Sequence, residues 1–168
     1  MIVIVFGLPG SGKSYFASRL AKVINANHIN SDRVRQEIFK KRAYSDQEKK
    51  AVYDTMLEQM QESVRQKKNV VLDATFHKKD IRKMFVEEMK DKGGISFIEI
   101  QADENIIRER LKNPRPYSEA DFKVYKFISQ QNEPLNESHL ILKSTDDNIN
   151  EMIQKAAEYL KKNDNSTN

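Results

Sequence analysis

Apolar residues recur along the chain in two alternating rhythms, a short unbroken run and a longer stretch at helical spacing. Residues 2–6, Ile-Val-Ile-Val-Phe, are a continuous β-branched and aromatic run, as expected for a central strand buried on both faces. After a glycine-rich turn, Phe16, Leu20, Val23 and Ile24 predict a helix from about 13 to 25. Ala26 to Asn30 is a second strand candidate, followed by a helix carrying Val34, Ile38 and Phe39. Ser45 with Glu48 three residues on reads as a capping box, and Val52, Met56, Met60 and Val64 then fall on one stripe of a long helix over 46–67. Asn69 to Asp73 predicts a third strand that ends in a carboxylate, and Ile81, Phe85 and Met89 a helix over 78–92 stopped by Gly93-Gly94. Ile95 to Ile100 is the fourth strand, and Ile106, Ile107 and Leu111 begin a helix ended by Asn113-Pro114. His139 to Leu142 is the fifth strand, and Ile149, Ile153, Ala156 and Leu160 mark a closing helix. Strands alternating with helices build an α/β domain, a single doubly wound parallel five-stranded sheet flanked by helices. One domain is expected over 1–162, and the polar residues 163–168 are expected to form a frayed tail.

Composition narrows the picture without changing it. A chain of 168 residues, 38% hydrophobic and 32% charged, has material for one core and too little for two. The net charge of +4 helps to attract phosphate-bearing ligands but is no nucleic-acid footprint by itself. Without cysteine there is neither a disulfide framework nor a thiolate metal site. The apolar start is six residues long, too short for a signal peptide, and no other run approaches the roughly 20 residues of a membrane span. No membrane partner is expected, and the cytoplasm is the expected location.

The strongest chemical signal is Gly7-Leu8-Pro9-Gly10-Ser11-Gly12-Lys13-Ser14, which satisfies G-x-x-x-x-G-K-[ST] between a predicted strand and a predicted helix. Glycines allow positive φ and close backbone approach, so successive N–H groups can point at phosphate oxygens while the helix dipole adds its positive end. Lys13 can follow charge on the β- and γ-phosphates, and the Ser14 hydroxyl can hold magnesium. The nucleotide-binding set expected is thus Gly7 through Ser14 with Tyr15, and the ligands are ATP and Mg2+.

After the second strand comes Ile29-Asn30-Ser31-Asp32-Arg33-Val34-Arg35-Gln36. With that strand beside the first, Asp32 is expected across from the γ-phosphate, where it can take a proton from an attacking hydroxyl, and Arg35 can neutralise phosphate charge or orient Asp32. On residue type alone, the favoured reading is Asp32 as a helix N-cap and Arg35 as a solvated surface residue. The pair GLPGSGKS and INSDRVRQ resembles the 5′-kinase domain of bacteriophage-type polynucleotide kinases and the wider group of AAA-type predicted kinases, zeta toxins and chloramphenicol phosphotransferases. The resemblance implies an ATP-dependent phosphotransferase in which Asp32 is the general base and Arg35 binds the acceptor. Leu72-Asp73-Ala74-Thr75-Phe76 is similar to the Asp-Ala-Thr of these kinases; Asp73 is expected to reach magnesium, through water, or to buttress Arg35.

Arg108, Arg110 and Arg115 cluster around Asn113-Pro114, before Arg115-Pro116-Tyr117-Ser118, which cannot continue a helix. A mobile lid over about 108–122 fits, with Arg115 and Arg110 as candidates to stabilise transition-state charge. Ser144-Thr145-Asp146-Asp147 follows the fifth strand, where related kinases contact adenine, although a cap for the last helix explains it as well. Glu133-Pro134 is also similar to the predicted kinases but carries no evident chemistry. His28, His77 and His139 are scattered and suggest no metal site. The acceptor is a hydroxyl: the 5′ end of a nucleic acid, a nucleoside, a sugar or an antibiotic. A nucleotide-dependent switch without an acceptor is the reading from another class.

Overall fold

The computed structural model describes residues 1–113 and 118–166. Five strands, β1 (Ile2–Phe6), β2 (Ala26–Asn30), β3 (Asn69–Asp73), β4 (Ser96–Gln101) and β5 (Leu140–Lys143), form one parallel sheet in the order β2-β3-β1-β4-β5. The helices are α1 (Lys13–Val23), α2 (Ser31–Ile38), α3 (Asp46–Arg65), α4 (Lys79–Met89), α5 (Glu104–Arg110), α6 (Phe122–Gln131) and α7 (Ile149–Ser166).

The strand order corrects one expectation. β1 pairs with β3 and β4, and β2 pairs with β3 alone, so β3 lies between the phosphate loop and the strand that leads to Asp32. All five residues of β1 are buried. Successive side chains of a strand point to opposite faces, and the core divides accordingly. Ile2, Ile4 and Phe6 join Val52, Met56, Met60, Phe85 and Met89 under α3 and α4, whereas Val3 and Val5 join Phe16, Leu20, Ala156 and Leu160 under α1 and α7. Burying each such large side chain contributes roughly 1.5–3 kcal/mol, which holds the strand next to the phosphate loop from both faces.

Other departures are local. α7 continues through Ser166, and Asn163 Nδ2 lies 3.3 Å from Ser96 Oγ, so the expected tail from 163 begins as helix. The Ser45 hydroxyl does accept from the Glu48 N–H, but the Glu48 carboxylate accepts from Ala43 N and Tyr44 N, not from Ser45, and only half the expected box forms. Helix α6 begins after Asp121, whose side chain accepts from Val124 N at 2.9 Å. Arg82, 3% exposed, donates to the carbonyls of Phe76, Glu133 and Pro134 and ties the segment before β5 to the segment after β3. Glu133 completes this tie by accepting from the Lys79 N–H at 2.6 Å, at the start of α4, whose preceding Lys78 supplies no side-chain cap. That N–H holds the Glu133 carboxyl below its usual range. This is the structural work of Glu133-Pro134.

Candidate phosphate-binding and acceptor site

The loop between β1 and α1 is shaped by glycines that no other residue can replace. A Cβ on Gly7 would lie 2.3 Å from the Ile100 carbonyl oxygen. Gly12 has φ +92, and its Cβ would lie 2.9 Å from Ser144 Oγ. The Ser11 N–H donates to the Leu8 carbonyl at 3.1 Å, and the Phe16 N–H donates to the Gly12 carbonyl at 3.1 Å, closing the first turn of α1. The N–H groups at the start of a helix lack helical acceptors, and with the positive end of the helix dipole they suit an anion there. The loop, Lys13, Ser14 and Tyr15 stand at one end of a cleft of about 680 Å3.

Behind Ser14 lies a carboxylate removed from solvent. Asp73, at the tip of β3, is 0% exposed. Its Oδ1 accepts from Ser14 Oγ at 3.2 Å, and its Oδ2 accepts from Asn30 Nδ2 at 2.6 Å and lies 3.1 Å from His28 Nε2. A carboxylate only accepts, so the protonated imidazole nitrogen faces it. The register that sets Asn30 beside Asp73 brings these groups together, and His28 and Asn30 share a face because strand side chains alternate. Asp73 therefore supports Ser14 and the end of β2; its hydrogen-bond partners do not include Arg35, contrary to the buttress expected. Sequence reading missed Asn30 and His28, although an Asn directly ahead of a helix, with a His two residues earlier, is a usable signal. Among the described residues no three His, Asp or Glu side chains gather as a metal cluster. A magnesium ion on a phosphate loop needs no such cluster, since phosphate oxygens and water supply most of its ligands. A hydroxyl next to a buried carboxylate fits it.

Asp32 sits in the first turn of α2 and lines the same cleft as Lys13 and Ser14. It is not the helix cap: Asn30 is, with its Oδ1 accepting from Arg33 N at 3.0 Å. Arg35, 9% exposed, is not part of the cleft wall. Its Nη1 lies 3.3 Å from Asp32 Oδ1 and its Nε 3.0 Å from Glu48 Oε1, with the Tyr44 ring 5.0 Å from the guanidinium carbon. The structure thus ties Arg35 to Asp32 and sets it behind the carboxylate. Tyr44 in turn donates to Glu119 at 2.7 Å, and Arg42 pairs with the same carboxylate. Burial, followed by the bond to Glu119, pushes the Tyr44 phenol up to about 12.

On the opposite side Arg110, the last residue of α5, is pinned to the back of the loop. Its Nη1 donates to Ser11 O at 3.2 Å and Ser144 Oγ at 3.1 Å, and its Nη2 donates to Thr145 O at 2.9 Å and Asp146 Oδ1 at 3.1 Å. A guanidinium committed in this way is a fixed strut between the phosphate loop and the loop after β5, which differs from the mobile lid arginine expected. Arg115, the other candidate, lies outside the described residues. The loop after β5 is organised by Asn148, which accepts from Thr145 N and donates to Lys143 O, and Ser144, Thr145 and Asp146 line the cleft together with Ile149 and Met152.

A family model described as an AAA domain matches residues 2–135, four-fifths of the chain and every element of the site up to Glu133. The chain belongs to this AAA domain family. A search of curated proteins returns no match. Among solved structures, the AAA domain chain is similar to an unliganded sugar kinase from Janibacter sp. (TM-score 0.74, 16% identity, 95% of this chain and 94% of that one covered). It is similar to the APS kinase of Mycobacterium tuberculosis in complex with AMPPNP and APS (TM-score 0.73, 17% identity, 95% and 96% covered). It is also similar to a gluconokinase from Sinorhizobium meliloti (TM-score 0.69, 16% identity, 92% and 87% covered). The fold of this AAA domain is therefore that of the P-loop kinases. Among the described residues no helix is long and apolar enough to cross a membrane.

Proposed function

We propose that the chain is an ATP-dependent phosphotransferase that moves the γ-phosphate to a hydroxyl acceptor. The observation that carries this reading is the shared cleft: Lys13 and Ser14 of the phosphate loop and the Asp32 carboxylate line one cavity. The loop N–H groups and Lys13 hold the triphosphate, Asp32 takes the acceptor's proton as its oxygen attacks, and Arg35 keeps that carboxylate oriented. Ser14, with Asp73 behind it, would hold magnesium, which would supply charge neutralisation on the phosphates. Arg115 is retained as a candidate for charge stabilisation from the lid over about 108–122, within a catalytic domain at 1–162. A cysteine-free chain, with no helix among its described residues long and apolar enough to cross a membrane, suits reaction in the cytoplasm.

The finer reading, a polynucleotide 5′-hydroxyl acceptor, rests on Asp32-x-x-Arg35 and Asp73-Ala74-Thr75. A small acceptor is the second reading, favoured by neighbours that include a sugar kinase and a gluconokinase. Labelled ATP with 5′-hydroxyl oligonucleotides, nucleosides, gluconate, sugars and aminoglycosides separates the two. Lys13→Ala is expected to abolish transfer, and Asp32→Asn to lower turnover by about 10²-fold or more while ATP binding survives. Normal transfer by Asp32→Asn removes that residue from the base role, and phosphate release without any acceptor points to a nucleotide-dependent switch.

A further inference from the structure

We infer that Asn30 is a positioning residue that joins Ser14 and Asp73 to the helix carrying Asp32; the inference rests on the reading of Ser14 and Asp32 as parts of one kinase site. Asn30 is the last residue of β2, and α2 begins at Ser31, so no loop separates strand from helix. The side chain is buried, 8% exposed, and both ends of its amide are engaged. Its Oδ1 accepts from Arg33 N at 3.0 Å, while its Nδ2 donates to Asp73 Oδ2 at 2.6 Å and lies 3.4 Å from Ser14 Oγ. The Arg33 N–H needs an oxygen, and the Asp73 carboxylate, set opposite Asn30 by the strand register, only accepts. An amide meets both demands at once.

Two consequences follow from one side chain. Ser14 Oγ, with its proton on Asp73 Oδ1 and one lone pair on the Asn30 amide, keeps its other lone pair for a cation. Asp73 is 0% exposed, and a carboxylate without water depends on the donors around it, Ser14, Asn30 and His28. Groups behind a metal ligand hold its orientation, and loss of one typically costs about 10–100-fold in metal affinity or activity. The same amide caps α2, so the first turn with Asp32 is fixed to Ser14 and Asp73 as well as to its own strand. A misplacement of about 1 Å between reacting groups can cost about 10²-fold in rate. Serine and aspartate start a helix about as well as asparagine. A residue needed only as the cap of α2 has no need of an amide.

The test uses the full chain and the variants Asn30→Ser and Asn30→Asp, both of which keep a good cap. A double variant, Asn30→Asp with Asp73→Asn, restores the donor and acceptor with their sides exchanged. AMPPNP binding is titrated against magnesium, and Tm is measured alongside. Asn30→Ser is expected to raise the magnesium concentration for half-maximal binding about 10-fold or more, with the magnesium-free Kd for AMPPNP within about two-fold. Its Tm is expected to fall by about 3 °C or more. Asn30→Asp sets two carboxylates together and is expected to melt lower still, and the double to recover at least about half of that fall. With an acceptor that the wild type phosphorylates, Asn30→Ser is expected to lower kcat about 10-fold or more at saturating magnesium. A wild-type magnesium requirement in Asn30→Ser overturns the inference, and so does a double that melts no higher than Asn30→Asp. Equal weakening of AMPPNP with and without magnesium marks general damage to the loop and overturns it too, as does wild-type binding that ignores magnesium. An unchanged kcat at saturating magnesium overturns the link to Asp32. If the wild type phosphorylates nothing in the panel, the kinase reading fails, and the magnesium titration and Tm alone decide the role of Asn30. Should Asn30→Asp fail to fold, Asn30→Ser carries the magnesium, melting and turnover measurements.

Discussion

Replacing Arg110 by Ala separates two roles for an arginine beside the phosphates. An arginine that closes over transferring oxygens contributes to kcat and little to the resting fold. The observed guanidinium instead joins Ser11 and Ser144 through one nitrogen and Thr145 and Asp146 through the other, at 2.9–3.2 Å. Its side chain is 22% exposed and Asp146 is 84% exposed, so the ion pair itself is largely screened and is left out of the sum. The remaining contacts are worth about 1 kcal/mol each after exchange with water, giving a loss of about 2–3 kcal/mol. For a chain of this size that is a fall in Tm of about 4–12 °C. Nucleotide affinity is expected to weaken by about 10-fold or more, since the back of the loop loses its strut. Differential scanning fluorimetry with and without AMPPNP, run beside a transfer assay, measures both effects. If Arg110→Ala melts within about 2 °C of wild type, binds AMPPNP normally and loses only turnover, the strut reading is wrong and Arg110 acts on the reacting phosphate.

Arg82→Met keeps the volume but leaves the buried acceptors at Phe76, Glu133 and Pro134 without their donor. At about 1–3 kcal/mol for an orphaned buried group, the loss is expected near 3 kcal/mol by urea denaturation, with no change in nucleotide contacts. The Glu133 carboxyl is held low by the Lys79 N–H, so its contribution is present above its ordinary value of 4.5 and is lost as pH falls through the lowered one. Glu133→Gln is therefore expected to flatten the acid limb of stability, read as melting curves that separate from wild type at neutral pH and converge with it in acid, below the lowered value.

The loop at 7–14 was legible because its chemistry is local: eight consecutive residues carry both the turn and the ligands. Element types followed from periodicity for the same reason, as β1 and the stripe of α3 illustrate. The order of strands was not legible. Ala26–Asn30 reads the same beside β1 or beside β3, and the choice is recorded in tertiary contacts such as the buried Asn30 amide and His28 on Asp73. Glu48 misled because a local rule competes with tertiary structure for one carboxylate: its oxygens accept from Ala43 N and Tyr44 N and lie 3.0 Å from Arg35 Nε rather than turning back to Ser45. Arg110 misled differently: its neighbours in sequence suggested a mobile segment, but its acceptors lie about a hundred residues upstream or some 35 downstream.

β2 is held by a single ladder, whereas β1 is clasped from both sides. On the proposed reading, donor handling and acceptor handling rest on foundations of unequal rigidity. The border strand, its helix and the turn at 39–45 can be rebuilt, lengthened or recombined for a differently shaped alcohol while the triphosphate cradle stays undisturbed. Engineering a new acceptor preference on this scaffold should begin at that margin of the sheet.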